Sequence, residues 1–408
     1  MTDTDVGATV TLADILAARE VLGDVARRTP LEGSRPLTER VGGPVALKCE
    51  NLQRAGSFKI RGAYVRIARL SDEERARGVV AASAGNHAQG VALAAQLLGC
   101  RATVFMPEGA PIPKVQATKA YGAEVRFAGA SLDESFPSAK QFADETGAVF
   151  IHPFDHPDIV AGQGTAGLEI LEQRPDVKTI VVSVGGGGLV SGIAAAVKGI
   201  RDDVRVVGVQ AAGAAAFPAS LLAGQPVALR SMATMADGIA VGRPGGLTLR
   251  MVQDCVDDVV TVSEESLSKA LLLCLERAKL VVEPAGAASV AALMDAPTDF
   301  EPPVVAVLSG GNIDPLLLLR VLRHGMATSG RYLSFRLRIP DRPGELAKLL
   351  GEIGAAGASV LDVAHSRTSP TLPVDEVEVE VQVETRGPEH CEELVSRLRE
   401  AGFEATGI

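Results

Sequence analysis

Four consecutive glycines constrain the fold of this chain more than any other feature of the sequence. They are Gly185, Gly186, Gly187 and Gly188. They follow an apolar segment, residues 179–184, that is predicted to be a buried strand, and they precede a predicted helix over residues 189–198. Backbone N–H groups in such a loop, together with the helix N-terminus, suit a phosphate group. A tight turn between strand and helix is the alternative, but no turn needs four glycines in a row.

Strand and helix patterns alternate along most of the chain. Predicted strands cover residues 45–48, 78–82, 103–106, 124–127, 179–184, 204–209, 258–262 and 304–308, and a long helix is predicted over 264–279. Such alternation predicts parallel sheets with right-handed crossovers, in which ligands bind beyond the carboxyl ends of the strands. The fold class is therefore α/β, with a small subdomain of about residues 50–150 inserted in a larger one.

One lysine has the surroundings of a reactive amine. Lys59 lies between Phe58 and Ile60 in the segment GSFKIRGA. Apolar neighbours disfavour the charged form of a lysine and leave a nucleophilic amine that suits a Schiff base. Most lysines are solvated, so the interpretation depends on partners. The segments SAGNH (83–87) and SGGN (309–312) follow predicted strands and are expected beside this lysine.

The segments GSFKIRGA and SAGNHAQG resemble the fold-type II pyridoxal-phosphate (PLP) enzymes, most closely the branch of threonine dehydratases (threonine ammonia-lyases) and serine racemases. The resemblance runs from about Thr11 to about His324. It implies PLP as the cofactor and a small amino acid as the substrate. The implied cofactor-binding residues are Phe58, Lys59, Asn86, Gly185, Gly186, Gly187, Gly188, Gly238 and Ser309, and the implied substrate-binding residues are Ser83, Gly85, Asn86 and His87.

The resemblance also implies roles for single side chains, with Lys59 and Ser309 as the catalytic residues. Asn86 is expected to donate to the 3′-oxygen of the cofactor, although stabilisation of a turn is the alternative. The Ser309 hydroxyl is expected to face the pyridine nitrogen, which it cannot hold protonated, and the weaker electron sink suits β-elimination. His87 as a general base is disfavoured, because the family uses this loop through its backbone. Glu283 also matches the family, but its role does not follow from the sequence.

The expected reaction is conversion of L-threonine to 2-oxobutanoate and ammonia, with L-serine to pyruvate as a side activity. Lys59 would remove the α-proton. The alternatives are a serine dehydratase or racemase, and a non-catalytic amino-acid sensor. Ala84 stands where mammalian-type serine racemases have their second acid/base serine, and Gln210 and Ala216 replace carboxylates of their metal site, so no metal is expected. A nicotinamide cofactor is disfavoured, because its ribose is usually bound by an acidic residue at the end of this strand and Gln210 stands there instead.

A different pattern begins after Gly330. Predicted elements follow the order β-α-β-β-α-β, and the segment PDRPGELAKLL is the most telling part of a resemblance to ACT domains, which bind amino acids. We expect a catalytic domain over residues 1–328 and a ferredoxin-like, ACT-like regulatory domain over 329–408. An isoleucine or valine effector is expected at the turn ending in Gly344, with homodimer or homotetramer formation; an ACT fold kept only for dimerisation is the alternative.

Composition excludes several classes of function. A net charge of −10 argues against nucleic-acid binding, which rests on a basic surface. The five cysteines form no CxxC pair and are expected to be reduced thiols of a cytoplasmic protein. The N-terminal segment MTDTDVGATV has no basic leader, and no long apolar run follows, so neither export nor membrane insertion is expected.

Overall fold

The computed structural model describes residues 9–367 and 372–406. Its chain divides into two compact units, Met1–Pro315 and Leu316–Ile408. Residues 1–8, which make up most of the N-terminal segment MTDTDVGATV and its expected lack of an export leader, lie outside the described part. The boundary expected between residues 328 and 329 coincides with the end of a helix of the second unit, and as a functional boundary it stays a prediction.

Two sheets form the first unit. Their strands are β1 (Leu31–Gly33), β2 (Val45–Lys48), β3 (Val79–Ala82), β4 (Ala102–Met106), β5 (Glu124–Phe127), β6 (Val149–Phe150), β7 (Thr179–Ser183), β8 (Arg205–Ala211), β9 (Asp258–Val262) and β10 (Val304–Val307). The larger sheet has the order β1-β2-β10-β7-β8-β9 and the smaller has the order β5-β4-β3-β6. Only the β1–β2 pair is antiparallel among the described strands of these two sheets. The predicted class of two open parallel sheets is confirmed, whereas β1 was not predicted.

Helices connect these strands. They are α1 (Leu12–Leu22), α2 (Arg35–Val41), α3 (Lys59–Ala68), α4 (Asp72–Arg77), α5 (Asn86–Leu97), α6 (Ile112–Ala120), α7 (Leu132–Thr146), α8 (Pro157–Gln173), α9 (Gly188–Lys198), α10 (Ala216–Ala223), α11 (Gly246–Cys255), α12 (Glu264–Leu273) and α13 (Pro284–Asp295). The helix predicted over 264–279 is shorter than expected, because a π-helical turn, Cys274–Ala278, follows α12 and Lys279 ends it in a left-handed conformation, φ 60°. Among the described residues, no helix has the length and apolar character needed to span a bilayer.

The central parallel strands are covered on both faces. All residues of β3, β7 and β10 are buried. Strands buried on both faces are nearly continuous apolar runs, so side chains with other chemistry are found where the strands end. In this unit the segments after β3, β7 and β10 are the three glycine-containing motifs.

The second unit has an antiparallel sheet. Its elements are α14 (Pro315–Thr328, whose first residue belongs to the first unit), β11 (Tyr332–Pro340), α15 (Glu345–Ala355), β12 (Ser359–Ser366), β13 (Glu376–Glu384), α16 (Pro388–Glu400) and β14 (Ala405–Thr406). The strand order is β12-β13-β11-β14, with every pair antiparallel. Buried Phe335, Leu337 and Ile339 alternate with exposed neighbours along β11 and pack with residues of α15 and α16. The predicted ferredoxin-like arrangement of strands and helices is confirmed.

Candidate active site

The carboxyl ends of the parallel strands open into one cavity of about 1220 Å³. Every side chain or glycine that the sequence assigned to the cofactor or the substrate lines it: Phe58, Lys59, Ser83, Gly85, Asn86, His87, Gly185, Gly186, Gly187, Gly188, Gly238 and Ser309. These residues come from both sheets of the first unit. The structure therefore brings the predicted site residues together, and their individual roles stay predictions.

Lys59 is the first residue of α3 and points its amine into this cavity. Its Nζ donates to the carbonyl oxygen of Pro153 at 2.9 Å and lies 5.2 Å from the ring centre of Phe58. Burial lowers the pKa of Lys59 to about 8, although the charge of Glu283 acts in the opposite direction. Since an amine is nucleophilic and basic only when neutral, the surroundings of Lys59 favour the reactive form.

A buried ionic network, defined by Lys48, Glu50, Arg61 and Glu169, holds α3 in place. Arg61 donates to Glu50 at 2.8 Å and to Glu169 at 2.7 Å, and Lys48 donates to Glu169 at 2.5 Å. Burial alone would raise the pKa of the Glu50 carboxyl, but the charge of Arg61 holds that pKa below its usual value. Because Arg61 lies two residues after Lys59, this network fixes the start of the helix that carries the amine.

The four-glycine loop approaches its neighbours too closely for side chains. A Cβ at Gly186 would lie 2.3 Å from the Phe154 ring, and one at Gly187 would lie 2.7 Å from Phe217. Gly187 also has φ 96°, which favours glycine, and it precedes the first turn of α9. The loop therefore presents backbone N–H groups at a helix N-terminus, the arrangement that suits a phosphate.

Ser309 follows β10 at the end of the cavity that adjoins the lysine loop. Ser183 Oγ donates to Ser309 Oγ at 2.9 Å, and both residues are buried. The backbone carbonyl of Ser309 accepts from Phe58 N at 3.2 Å. Ser309 therefore offers a neutral hydroxyl to the cavity and fixes the residue before Lys59.

The loop between β3 and α5 carries the proposed substrate-binding residues. Ser83 Oγ accepts from Gly85 N at 3.1 Å, and Asn86 begins the helix. His87 Nε2 lies 2.9 Å from the carbonyl oxygen of Ile151, which can only accept, so this nitrogen carries the proton. Burial lowers the pKa of His87 to about 3, with the charge of Lys59 acting in the same direction. His87 is neutral and its ring is hydrogen-bonded to the backbone, while its place in substrate binding, and not as the general base, stays a prediction.

Glu283 is a site residue whose role the sequence did not reveal. It precedes Pro284 at the start of α13, lies almost fully buried, and accepts from Asn86 Nδ2 at 2.5 Å. Burial raises the pKa of Glu283 to about 7, and the charge of Asp237 adds to the rise. An acid directly before a proline is a signal for a helix start, which would have placed Glu283 at the end of a loop.

Asp237 and Lys114 form an ion pair at the cavity that sequence reasoning also missed. Lys114 belongs to α6, beside the smaller sheet, and Asp237 precedes Gly238 in the part of the chain that carries the larger sheet. The pair thus joins the two halves of the first unit. No local pattern pairs residues so far apart in the chain.

The residues present fit PLP. The glycine loop suits its phosphate, Lys59 suits its aldehyde, and Ser309 offers a neutral partner for the ring nitrogen. Gln210 was expected to leave no metal site, and its Oε1 accepts from Phe217 N at 2.9 Å. In the described part of the chain, no group of three or more histidine, cysteine or acidic residues is arranged to hold a metal ion.

Comparison with known proteins shows the family of the chain. The model of the family described as pyridoxal-phosphate dependent enzyme matches residues 23–310. An L-threonine ammonia-lyase of Thermotoga maritima is 47% identical over 395 residues, covering 97% of this chain and 98% of that protein. Another, of Geobacter sulfurreducens, is 48% identical over 378 residues, covering 92% of this chain and 94% of that protein.

Solved structures give the same result for the first unit. Maize serine racemase superposes with a TM-score of 0.73 at 37% identity, covering 79% of this chain and 99% of that one. The processed form of threonine deaminase isoform 2 from Solanum lycopersicum superposes with a TM-score of 0.73 at 38% identity, covering 77% of this chain and 92% of that one. Fold, site and relatives together lead to one conclusion: the chain belongs to the pyridoxal-phosphate dependent enzymes, as a member with the fold-type II architecture.

Proposed function

We propose that this protein is a threonine ammonia-lyase, which converts L-threonine to 2-oxobutanoate and ammonia and acts on L-serine as a side activity. The observation that carries the proposal is a buried lysine amine at the cavity of a chain that is 47% identical, over nearly its whole length, to a protein named L-threonine ammonia-lyase. A catabolic L-threonine dehydratase of Escherichia coli is 43% identical over 308 residues.

Lys59 has two roles in this proposal. Its amine would hold the cofactor, and in the substrate complex the free amine would take the α-proton onto Nζ. When bound, PLP supplies the electron sink that stabilises the negative charge left at the α-carbon. Burial of Lys59, which lowers its pKa from 10.5 to about 8, raises the neutral fraction of the free amine at pH 7 to roughly one tenth. The carbonyl oxygen of Pro153 then accepts from the amine and orients it.

The other side chains orient the two ligands. The glycine loop, Gly185, Gly186, Gly187 and Gly188, would receive the phosphate, and Phe58 and Gly238 would pack near the ring. Ser309 faces the ring nitrogen with a hydroxyl that Ser183 already donates to, so Ser309 can itself donate. The backbone of Ser83, Gly85, Asn86 and His87, at the N-terminus of α5, receives the substrate carboxylate.

The side chain of Ala84 favours elimination over racemisation, because it can act neither as an acid nor as a base. Ala84 lines the cavity in the substrate-binding loop, where a methyl group cannot return a proton to the α-carbon. Serine racemase is therefore the weaker candidate, although solved serine racemases are among the similar structures. A serine dehydratase differs from the proposal only in which amino acid is preferred.

Steady-state kinetics with both amino acids test this assignment. The full-length enzyme, reconstituted with PLP, is expected to release 2-oxobutanoate from L-threonine with a higher kcat/KM than pyruvate from L-serine. A preference for L-serine would replace the assignment by serine dehydratase. No release of ammonia from either amino acid, in a protein that retains the PLP absorbance, would favour the sensor.

We further propose that the second unit is an ACT-like regulatory domain. Gly344, with φ 94°, precedes α15 at the turn where an amino-acid carboxylate would bind, and isoleucine first, with valine second, is the economical effector for a threonine dehydratase. A coupling of about 1–3 kcal/mol is typical of such regulation. We expect the protein to be cytoplasmic and to form a homodimer or a homotetramer.

Calorimetric titration of the full chain with isoleucine and with valine tests the regulatory proposal. Heat of binding and a shifted threonine saturation curve are expected for one of them. No heat with either amino acid, together with unchanged saturation curves, would leave an ACT fold that serves only for dimerisation.

A further inference from the structure

The Asn86 side chain is held at both ends of its amide. Asn312 Nδ2 donates to Asn86 Oδ1 at 2.9 Å, and Asn86 Nδ2 donates to Glu283 Oε1 at 2.5 Å. In the opposite orientation two amino groups would face each other on one side, and on the other a carbonyl oxygen would face the Glu283 carboxylate when it is ionised. Both hydrogen bonds would then be lost. We call Asn312, Asn86 and Glu283 the amide network.

A backbone carbonyl oxygen, which can only accept, sets the direction of the hydrogen bonds in the amide network. Asn312 Nδ2 also donates to the carbonyl oxygen of Ala55 at 2.6 Å, so Asn312 must present its amino group on this side. Ala55 lies in the loop that leads to Lys59 and has φ 57°, a left-handed conformation that is uncommon for a residue other than glycine. The lysine loop thus determines, through Asn312, the orientation of the amide at the start of α5.

Two glycines of the sequence motifs leave room for the amide network. A Cβ at Gly56 would lie 2.2 Å from Asn312 Oδ1, and one at Gly310 would lie 2.3 Å from Glu283 Oε1. Both distances are far below van der Waals contact, so a side chain at either position would displace the network. Gly56 also has φ 70°, which by itself favours glycine, whereas Gly310 has no such backbone reason and is explained by the Glu283 side chain.

The network leaves one hydrogen-bond donor for a ligand. An amide nitrogen carries two hydrogens, and Glu283 accepts one of those on Asn86 Nδ2. Asn86 lines the cavity, so its second N–H is the donor that remains. The amide oxygen is occupied by Asn312 and is turned away from this role.

We propose that Asn312 and Glu283 are positioning residues, which hold the Asn86 amide with its amino group towards the ligand and make this wall of the cavity a donor instead of an acceptor. A ligand that places an anionic oxygen here is bound, and one that places a hydroxyl or amino donor here is rejected. The ring oxygen of PLP, next to the aldehyde that reacts with Lys59, has the matching chemistry when it is ionised. The proposal concerns cofactor binding and does not depend on threonine being the substrate.

The variant Asn312→Asp tests the orientation directly. A carboxylate at this position accepts from Asn86 Nδ2 and so favours the inverted amide, whose carbonyl oxygen then faces the cofactor. We expect the Kd for PLP, measured by absorbance titration of the apoenzyme, to rise by about 10-fold or more, the size of effect produced by an unpaired buried polar group.

Gln89→Glu is the matched control. Gln89 Oε1 accepts from Asn312 Nδ2 at 3.4 Å, and a carboxylate can still accept there. The control therefore makes the same change from amide to carboxylate, at a buried position beside the network, without changing the direction of any bond in it. Its Kd for PLP is expected to stay within about twofold of the wild-type value, a difference well under 1.4 kcal/mol.

The double variant Asn312→Asp with Glu283→Gln separates orientation from simple stability. In this variant the carboxylate at position 312 accepts from Asn86 Nδ2, and the amide at position 283 donates to Asn86 Oδ1. The inverted Asn86 amide therefore again has both hydrogen-bond partners. The apoenzyme Tm is expected to recover towards the wild-type value while the Kd for PLP remains raised. A purely structural role would restore Tm and Kd together, and that result would overturn the proposal.

Two further outcomes also decide the matter. A Kd for Asn312→Asp within twofold of wild type would overturn the proposal. If Asn312→Asp does not fold alone, Asn312→Ala takes its place: the Asn86 oxygen then has no donor, both amide orientations become accessible, and the Kd is expected to rise by a smaller factor. An unchanged Kd for Asn312→Ala would be equally fatal to the proposal.

Discussion

Strands β7 and β13 show two ways to build a sheet within one chain. All five residues of β7 are buried, and the strand leads directly into the glycine loop at the cavity. In β13 the four valines are buried and alternate with glutamate or glutamine side chains that are less buried. A parallel sheet covered on both faces offers only its strand ends to ligands, whereas a sheet with one open face carries its polar groups along the strands.

The ion pairs of the two units differ in the same way. Arg61 is 1% exposed and donates to Glu50, which is 0% exposed. Arg336, on β11, is 59% exposed and donates to Glu380 on β13. Removing one partner of a buried pair leaves an uncompensated charge without water, while an exposed pair is replaced by hydration at little cost. The first unit therefore depends on polar groups in its interior for the placement of Lys59, and the second unit does not depend on its ion pairs.

The largest expected effect is that of Lys59→Ala. The variant loses both the attachment point of the cofactor and the proposed base, so kcat for L-threonine is expected to fall by at least about 10³-fold. The Tm of the apoenzyme is expected to change little, because the amine contributes one hydrogen bond to Pro153. Turnover near the wild-type level after reconstitution with PLP would contradict the assignment.

Arg61→Met is expected to destabilise the first unit by about 3–5 kcal/mol, because it leaves Glu50 and Glu169 without their shared partner. Urea unfolding followed by a probe in the first unit measures this change. A loss below about 1 kcal/mol would mean that water reaches the carboxylates, and the contrast between the two units would disappear.

Ala84→Ser is expected to add racemisation of L-serine to elimination, at a rate below that of elimination, because a hydroxyl then lines the substrate-binding loop. Chiral analysis of the remaining serine measures the D-isomer. Ala84→Gly, which adds no hydroxyl, is the matched control and should form none. Interconversion by the wild-type enzyme as fast as elimination would remove the argument from Ala84.

The smallest effect is expected for Arg336→Met, which makes in the second unit the same substitution as Arg61→Met makes in the first. The exposed pair with Glu380 is worth about 0–1 kcal/mol, so unfolding of the second unit should change by no more than that. A loss as large as that of Arg61→Met would show that exposure does not determine the cost.

Local patterns in the sequence were sufficient for the parts of the site that are contiguous in the chain. The glycine loop and SAGNH each lie between a strand and a helix, and SGGN follows β10, so their place at the carboxyl ends of the strands was predictable. The contact of Glu283 with Asn86 was not predictable, because it depends on how α13 packs against strands from other parts of the chain. The pairing of Asn312 with Ala55 likewise needs the register of β10 beside β2.

The position of β10 in the larger sheet has a consequence for folding during synthesis. Strand β10 lies between β2 and β7 in the larger sheet, yet among the strands of this sheet it is the last in the sequence. A chain emerging from the ribosome therefore exposes the unpaired edges of β2 and β7 until residue 307 has left the exit tunnel. Lys59 is synthesised early, but Ser309 and Asn312 follow β10, so the cavity lined by residues from both ends of this unit is complete only when most of the chain exists.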